Sequence, residues 1–591
     1  GNESAYIGLQ SIVETPEGQI WIGTGFGLLV LEDTASQNAC TLIHGSPEPS
    51  KFELTSSHIS KLFVDQSGVL WIGSFGGGVN YLDLKQKAFF LLQRQANHSN
   101  TLAGEFVRAI QEDQDGNIYI GTKVNGLDYF DFQTGKFQHY EADKGNPQAL
   151  LSNNIRSMMM SSDEKLWIGT AQGISILDPT DNSFTNLPFR IGQESSASND
   201  QIFGLQEDAF GQIWTGSWNR GVQCYRPNPD LPLGYEIVSL RLEAEPPLRL
   251  ASNRVTFIQT DSLRPEVLIA TDQGLHRVFL DQEGAIQKIV HYRSDQAGED
   301  RLSSNFIWPI VRQNDSVAWL GTLGGGLNRL VFQDTREQHA YKSQHYSLAE
   351  GAPSQDIESL EMDPNGMLWL GGKGLAMFNP ESEQFTLFDL DDGLQSNSFK
   401  IGASEHGASG RLYFGGTNGL NYFYPDSIKT ANRQTGIVLT ELNVNNQVVH
   451  LDPKDHKSIL PHSLSETNSI RLSHLQNNFS LSFSALHYIN PNNCKYRYML
   501  EGYDKDWVVI DADNRQASYS NLDYGNYTFL VASDNGNGVW SKKLRRLDIE
   551  IIAPWYETIL ARSLFVLLIF LIVGAVLYYV ANWYNLKRAY E

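Results

Sequence analysis

The sequence predicts an all-β fold made of repeated four-stranded units, followed by a second β domain and one long helix. Three observations predict it. A short stretch recurs nine times along the 591 residues. The recurrence stops after Asp426 and gives way to strands of another pattern. Near the end, Leu564 to Val580 is a run of 17 residues without a charge.

The recurring stretch is clearest at Trp21-Ile22-Gly23-Thr24, Trp71-Ile72-Gly73-Ser74, Trp167-Ile168-Gly169-Thr170 and Trp319-Leu320-Gly321-Thr322. Looser copies begin at Tyr119, Trp214, Leu268, Trp369 and Tyr413, and the nine are spaced 44 to 54 residues apart. Such a period, with short apolar runs and glycine turns, belongs to propellers and solenoids. In one copy, Val107 to Ile110 reads as a strand and Asp113-Gln114-Asp115-Gly116 as a turn, since Asp caps the bend and Gly accepts positive φ. Asn117 to Thr122 is a second strand with Ile118 and Ile120 on one face. After Asn125-Gly126 comes a third strand, Leu127 to Phe130, and Gly135 to Tyr140 supplies a fourth. Four antiparallel strands make a propeller blade, which buries its faces only by stacking on neighbours. The repeated Trp or Tyr is expected between blades, where an aromatic ring buries a large area.

Meander topology places the link before strand one and the loop after strand two on the same face. Both positions vary among copies while the framework repeats, the pattern of a binding surface on a scaffold. The candidate ligand-binding residues there are Phe75, Phe106, Lys123, Gln201, Trp218, Asn219, Arg220, Arg254, Phe306 and Lys373. Aromatic and amide side chains among them suit stacking and hydrogen bonding.

Composition narrows the chemistry. With 45 basic and 67 acidic residues the net charge is −22, which argues against nucleic-acid binding. Cys40, Cys224 and Cys494 are three and far apart, so neither a disulfide framework nor a metal cluster is indicated. The 14 histidines form no zinc-type pair. Asp113-x-Asp115-Gly116 lacks the remaining ligands of a calcium loop and reads as a turn. No nucleophile motif stands out, and neither a catalytic residue nor a cofactor is expected. The opening Gly1-Asn2-Glu3-Ser4 lacks an initiator Met and runs almost at once into a repeat, so a piece of a longer protein is expected.

Beyond the repeats, Phe479 to Phe483, Tyr496 to Leu500 and Tyr527 to Val531 alternate with period two. About eight strands joined by Gly and Asn turns over residues 436–553 predict an immunoglobulin-like sandwich. Residues 559–583 then give about 37 Å of helix, enough to span a bilayer. Trp555-Tyr556 and Trp583-Tyr584 flank it as interfacial belts, and residues 584–591 follow the span.

The copies resemble the two-component regulator propeller repeat: an Asp-Gly turn, a Trp-Ile-Gly-Thr strand, then Gly-Leu opening the next strand. Asp65 to Trp71 leading to Gly78-Val79, and Trp319 leading to Leu327, match well; the copy at Leu268 departs most, lacking both the turn and the Trp. The resemblance runs from about residue 9 to 425. Propellers of that family have seven blades and often stand two in series. Residues 1–98 would then be the tail of a truncated first propeller and 99–430 a complete second one, with a single ring of eight or nine blades as the alternative. Leu500-x-Gly502-Tyr503-Asp504-x-x-Trp507, Tyr519-x-Asn521-Leu522-x-x-Gly525-x-Tyr527 and Gly538-x-Trp540 resemble the three-tyrosine domain that follows these propellers in sensor proteins. In that domain the tyrosines are expected to pack in the core rather than to form a sugar platform.

The joint resemblance is to the periplasmic sensor region of a hybrid two-component histidine kinase. It implies a single-pass inner-membrane protein with residues 1–558 periplasmic or extracellular and residues 584–591 beginning a cytoplasmic segment, an oligosaccharide ligand, and a homodimer. The kinase itself would follow the last residue. The same resemblance extends to receptors ending in a diguanylate cyclase or a transcription regulator. An anchored propeller lyase or glycosidase is the enzymatic alternative, needing a carboxylate pair that meets only in space.

Overall fold

In the computed structural model each repeat becomes a sheet whose motif residues have separable jobs. It describes residues 8–590 except 16–17, 32–39, 46–53, 66–67, 85–88, 97, 189–200, 232–233, 262–263, 296–300, 335–338, 429–435, 453–457, 489–490, 492–493 and 535–539. The chain forms two compact units, residues 86–430 and residues 1–85 with 431–591.

Residues 86–430 hold seven four-stranded antiparallel sheets, here blades one to seven. Their innermost strands are Val107–Glu112, Ile155–Met160, Ile202–Glu207, Val255–Thr260, Ile307–Arg312, Ser359–Met362 and Phe399–His406. Each packs on the next, and the seventh packs on the first, so the ring is closed. The outermost strand of blade seven is Phe90–Leu92, paired antiparallel with Gly419–Phe423. The ring therefore begins before residue 99: the repeat period assigns this strand to the preceding copy, but closure recruits it to the last blade. Across the seam Tyr413 donates to Glu112 at 2.5 Å and Arg411 to the Gly116 carbonyl at 2.8 Å.

The motif can be read atom by atom. In the Asp-Gly turn, Asp363 Oδ1 accepts the N–H groups of Asn365 and Met367 while Oδ2 accepts the Trp369 indole N–H at 3.0 Å. Asp208 and Trp214 repeat this at 2.8 Å, and Gln313 replaces the acid opposite Trp319 at 2.9 Å. Trp167, Trp214, Trp319 and Trp369 are fully buried. In the closed ring the Gly two residues after the motif Trp or Tyr exists because the next blade sits on its Cα. A Cβ at Gly216 would stand 2.4 Å from Val255 Cγ1, and one at Gly415 would stand 2.6 Å from Val107 Cγ1. The Thr that follows donates to the glycine opening strand three, as Thr322 does to Gly326 at 2.8 Å.

In the other unit, residues 9–43 form a four-stranded sheet and residues 59–83 a three-stranded one, sharing a core around Trp21, Ile59, Leu70 and Ile72. Its C-terminal part is two sheets over one core. The first runs Gln447–Val448, Ile437–Val444, Phe479–Ala485, Gln516–Tyr519; the second runs Ser469–Ser473, Arg545–Ile552, Gly525–Ser533, Tyr496–Glu501, Val508–Ile510. Alternate residues such as Phe479, Leu481 and Phe483 point inward. Tyr519 is buried there and donates to Asp504 at 2.8 Å, so this tyrosine packs in the core. The helix Ile559–Tyr590 is continuous, so the segment after residue 583 extends the same helix.

Candidate ligand-binding mouth of the propeller

One end of the propeller channel is built where the innermost strands start, and backbone pairing slips at that point. In blade one, Val107 and Ala109 pair with Thr122 and Gly121, leaving Arg108 unpaired. Arg156, Phe203 and Thr256 are left out in the same way in blades two to four. The slip takes in Trp308 and Pro309 in blade five and residues 400–403 in blade seven. In blade six, Glu358 immediately precedes the first ladder pair, Ser359 with Gly371. A bulge bends a strand and re-aims its extra residue. Seven equivalent positions thus present Arg108, Arg156, Phe203, Thr256, Trp308, Glu358 and Lys400.

A second set is clamped beside them. The N–H of the residue after strand two donates to the carbonyl of the residue before strand one: Lys123 to Phe106 at 3.0 Å, Trp218 to Gln201 at 3.0 Å and Leu323 to Phe306 at 2.9 Å. This clamp holds the two variable loop positions of each blade together.

The side chains sort into two arcs. On blades one, two and seven lie cations: Arg108 and Lys123 each stand 5.1 Å from the Phe106 ring centre, Lys400 stands 5.9 Å from it, and Arg156 lies 4.0 Å over Phe203. On blades three and five lie aromatics. Phe203 stacks on Trp218 at 4.9 Å, Trp218 is 6.3 Å from Phe306, and Phe306 meets Trp308 edge-on at 5.8 Å. Arg254 covers Trp218 at 5.1 Å but is ion-paired to Asp272 at 3.0 Å. Blade six brings the acids: Glu358 is 3.8 Å from Lys400, and Asp356 accepts the Gly324 N–H. Burial pushes the Arg156 guanidinium down to about 9, Arg108 adds to the fall and Glu358 opposes it. Burial likewise raises the Glu358 carboxyl.

Further along the same strands the character changes. Gln111 donates to Glu405 at 3.1 Å and Ser404 to Glu361 at 2.8 Å, joining blades one, six and seven. Burial raises Glu361 to about 7, and raises Glu405 well above the carboxylate range with Glu361 and Glu112 adding repulsion. Among the described residues no group of three His, Cys, Asp or Glu is placed to hold a metal ion.

Of the residues named from the sequence, Phe106, Lys123, Gln201, Trp218, Arg254 and Phe306 are brought together at this mouth; Gln201 accepts from Arg108 at 3.4 Å. Asn219 is exposed and Arg220 half-buried on the Trp218 loop, where the Arg220 N–H donates to Ser217. Lys373 is exposed and bridges Ser398 through the backbone. Phe75 lies in the other unit, 5.5 Å from His58. The bulge residues Arg108, Arg156, Phe203, Trp308 and Lys400 were not among those named. The readable signal for them is variation at the second residue of strand one, between a constant Val, Ile or Phe and, in blades one to four, a small or aromatic residue.

The described residues thus hold a seven-bladed propeller, a β-sandwich and one helix long and apolar enough to cross a membrane. Residues 101–123 and 149–172 match the two component regulator propeller and residues 487–551 match the Y_Y_Y domain, so the chain carries regulator propeller repeats followed by a Y_Y_Y domain. The extracellular domain of BT3049 from B. thetaiotaomicron, assigned to the hybrid two component systems, superposes with a TM-score of 0.71 at 25% identity, covering 93% of this chain and 68% of that one. The extracellular domain of BT4673 from the same organism gives 22% identity, 93% and 70% coverage, and a TM-score of 0.45. Histidine kinase P4 of Formosa agariphila is 26% identical over 363 residues, which span 60% of this chain and 25% of that protein.

Proposed function

We propose that this chain is the sensing region and membrane anchor of a two-component receptor, with the propeller mouth as its ligand site. An oligosaccharide is the ligand class, and a cytoplasmic histidine kinase is the output. The observation that carries the reading is the ring of bulged residues, which turns variable aromatic and cationic side chains out of an otherwise constant scaffold. Rigid elements presenting variable side chains suit recognition better than turnover. The likeness to a histidine kinase supports the output, and the Y_Y_Y sandwich is the coupling element between propeller and helix. Signalling through one span per chain works most simply in a homodimer, where ligand shifts the placement of two sandwiches.

Calorimetric titration of the chain in nanodiscs with a panel of oligosaccharides tests the binding. Saturable binding with the sugar intact is expected; cleavage of the sugar would replace the sensor by an anchored lyase or glycosidase. Cross-linking in membranes is expected to give dimers with and without ligand, and monomers alone in both states would remove the dimer.

A further inference from the structure

Charge is distributed unevenly over this acidic molecule. On the sandwich, a groove of about 750 Å³ among Asn445, Asn478, Ser480 and Gln516 gathers amides and hydroxyls without a charged group. At the propeller mouth, by contrast, Arg108, Lys123, Arg156 and Lys400 stand together in a chain whose net charge is −22. Among the described residues, only Lys400 of these four has a carboxylate within 4 Å, that of Glu358.

Arg156 is the sharpest anomaly. Its Nε is buried with no acceptor, and among the described residues its guanidinium makes neither an ion pair nor a hydrogen bond. Its guanidinium lies over the Phe203 face. The same propeller shows how it treats a structural arginine. Arg277 also stacks on an aromatic ring, Phe332 at 4.3 Å, yet donates to Glu266 at 2.8 Å. An unpaired buried cation is costly, and proteins remove the cost by pairing it. Arg108 on the neighbouring blade also has a buried Nε without an acceptor, and so does the Trp308 indole N–H across the mouth. Both arginines sit in bulges, the device that re-aims a side chain.

We infer that the mouth takes an anionic sugar, its carboxylate or sulfate seated on Arg108 and Arg156 and its ring laid against Trp218 and Phe306. The inference rests on the sensor reading and specifies its ligand. A neutral sugar could stack on the aromatic arc but would leave the half-buried Arg108 and Arg156 without an anion. A planar fork matches an oxyanion with two parallel bonds, which a sugar hydroxyl cannot supply. Lys123 and Lys400, around Phe106, add attraction without fixed geometry.

The test uses the whole chain in nanodiscs and matched probes: an oligogalacturonate, a sulfated oligosaccharide, and their carboxyl-reduced and desulfated counterparts. At least one acidic probe is expected to bind ten-fold or more tightly than its neutral counterpart, with affinity falling as salt rises; which one binds separates carboxylate from sulfate. Arg156→Met should remove the preference and raise the melting temperature, since it deletes an unpaired charge and keeps the contact with Phe203. A purely structural arginine would lower the melting temperature instead. Arg108→Gln, expected to fold normally, should weaken the acidic probe and spare the neutral one. Equal binding of acidic and neutral sugars would overturn the anionic ligand and leave the sensor standing. Binding of no sugar, acidic or neutral, would overturn both.

Discussion

Asp363 shows how much one side chain settles in a blade. Its two oxygens fasten the turn and the inter-blade tryptophan together, which explains why Asp precedes Trp by six residues in the copies at Asp65, Asp208 and Asp363. Asp363→Ala should cost about 2–3 kcal/mol, because it frees the turn N–H groups and leaves a buried indole donor without an acceptor. Trp369→Phe at the same site should cost less on the hydrogen-bond side, about 1 kcal/mol, though it also loses packing. Urea denaturation of the two variants and their double mutant checks this, and the double mutant should cost less than the sum. These roles were legible, since Asp, Gly, Trp and Gly recur in register. The residues that set the mouth were less so. Arg108 and Arg156 lie inside segments that read as plain strands, and a one-residue slip in pairing leaves no mark on local apolar alternation.

At the scale of the element, one strand carries opposite chemistry at its two ends. Blades one, six and seven are cationic or mixed near the mouth and carboxylic further along, at Glu112, Glu361 and Glu405. A carboxyl raised by burial is one that the folded state keeps protonated. Between the ordinary glutamate value near 4.3 and about 7, the folded chain therefore holds a proton that the unfolded chain has lost. Stability falls as pH rises through that window and is level above it. Glu361→Gln should match the parent near pH 4 and exceed it at pH 8, as read from thermal melts at both values. Gln111, Ser404, Glu405 and Glu112 remain in the variant, so its difference from the parent reads this carboxyl together with the repulsion it exerts on Glu405. None of this pairing is readable in sequence, because Gln111 and Glu405 meet only when the last blade closes on the first.

For the whole molecule, the repeat count foretold blades but not the closing strand, because Phe90–Leu92 carries no motif and its partner is at the far end of the ring. Phe89, next to that strand, packs edge-on against Phe388 at 5.2 Å and Phe423 at 4.8 Å. Phe89→Ala should cost about 3–5 kcal/mol, as expected for a buried phenylalanine. Limited proteolysis should then cut first in blade seven. The partners Leu92 and Leu420 are separated by 420 − 92 = 328 positions. A ribosome adding 5–20 residues per second needs roughly 15–65 s to cover that distance. By the end of that interval six blades exist as an open arc, with the edge of blade one bare and the early strand still waiting for a partner that has not been synthesised. The clasp that makes the ring is thus among the first pieces made and among the last to be used, and a pause between residues 92 and 420 lengthens the time this edge is open to a wrong partner.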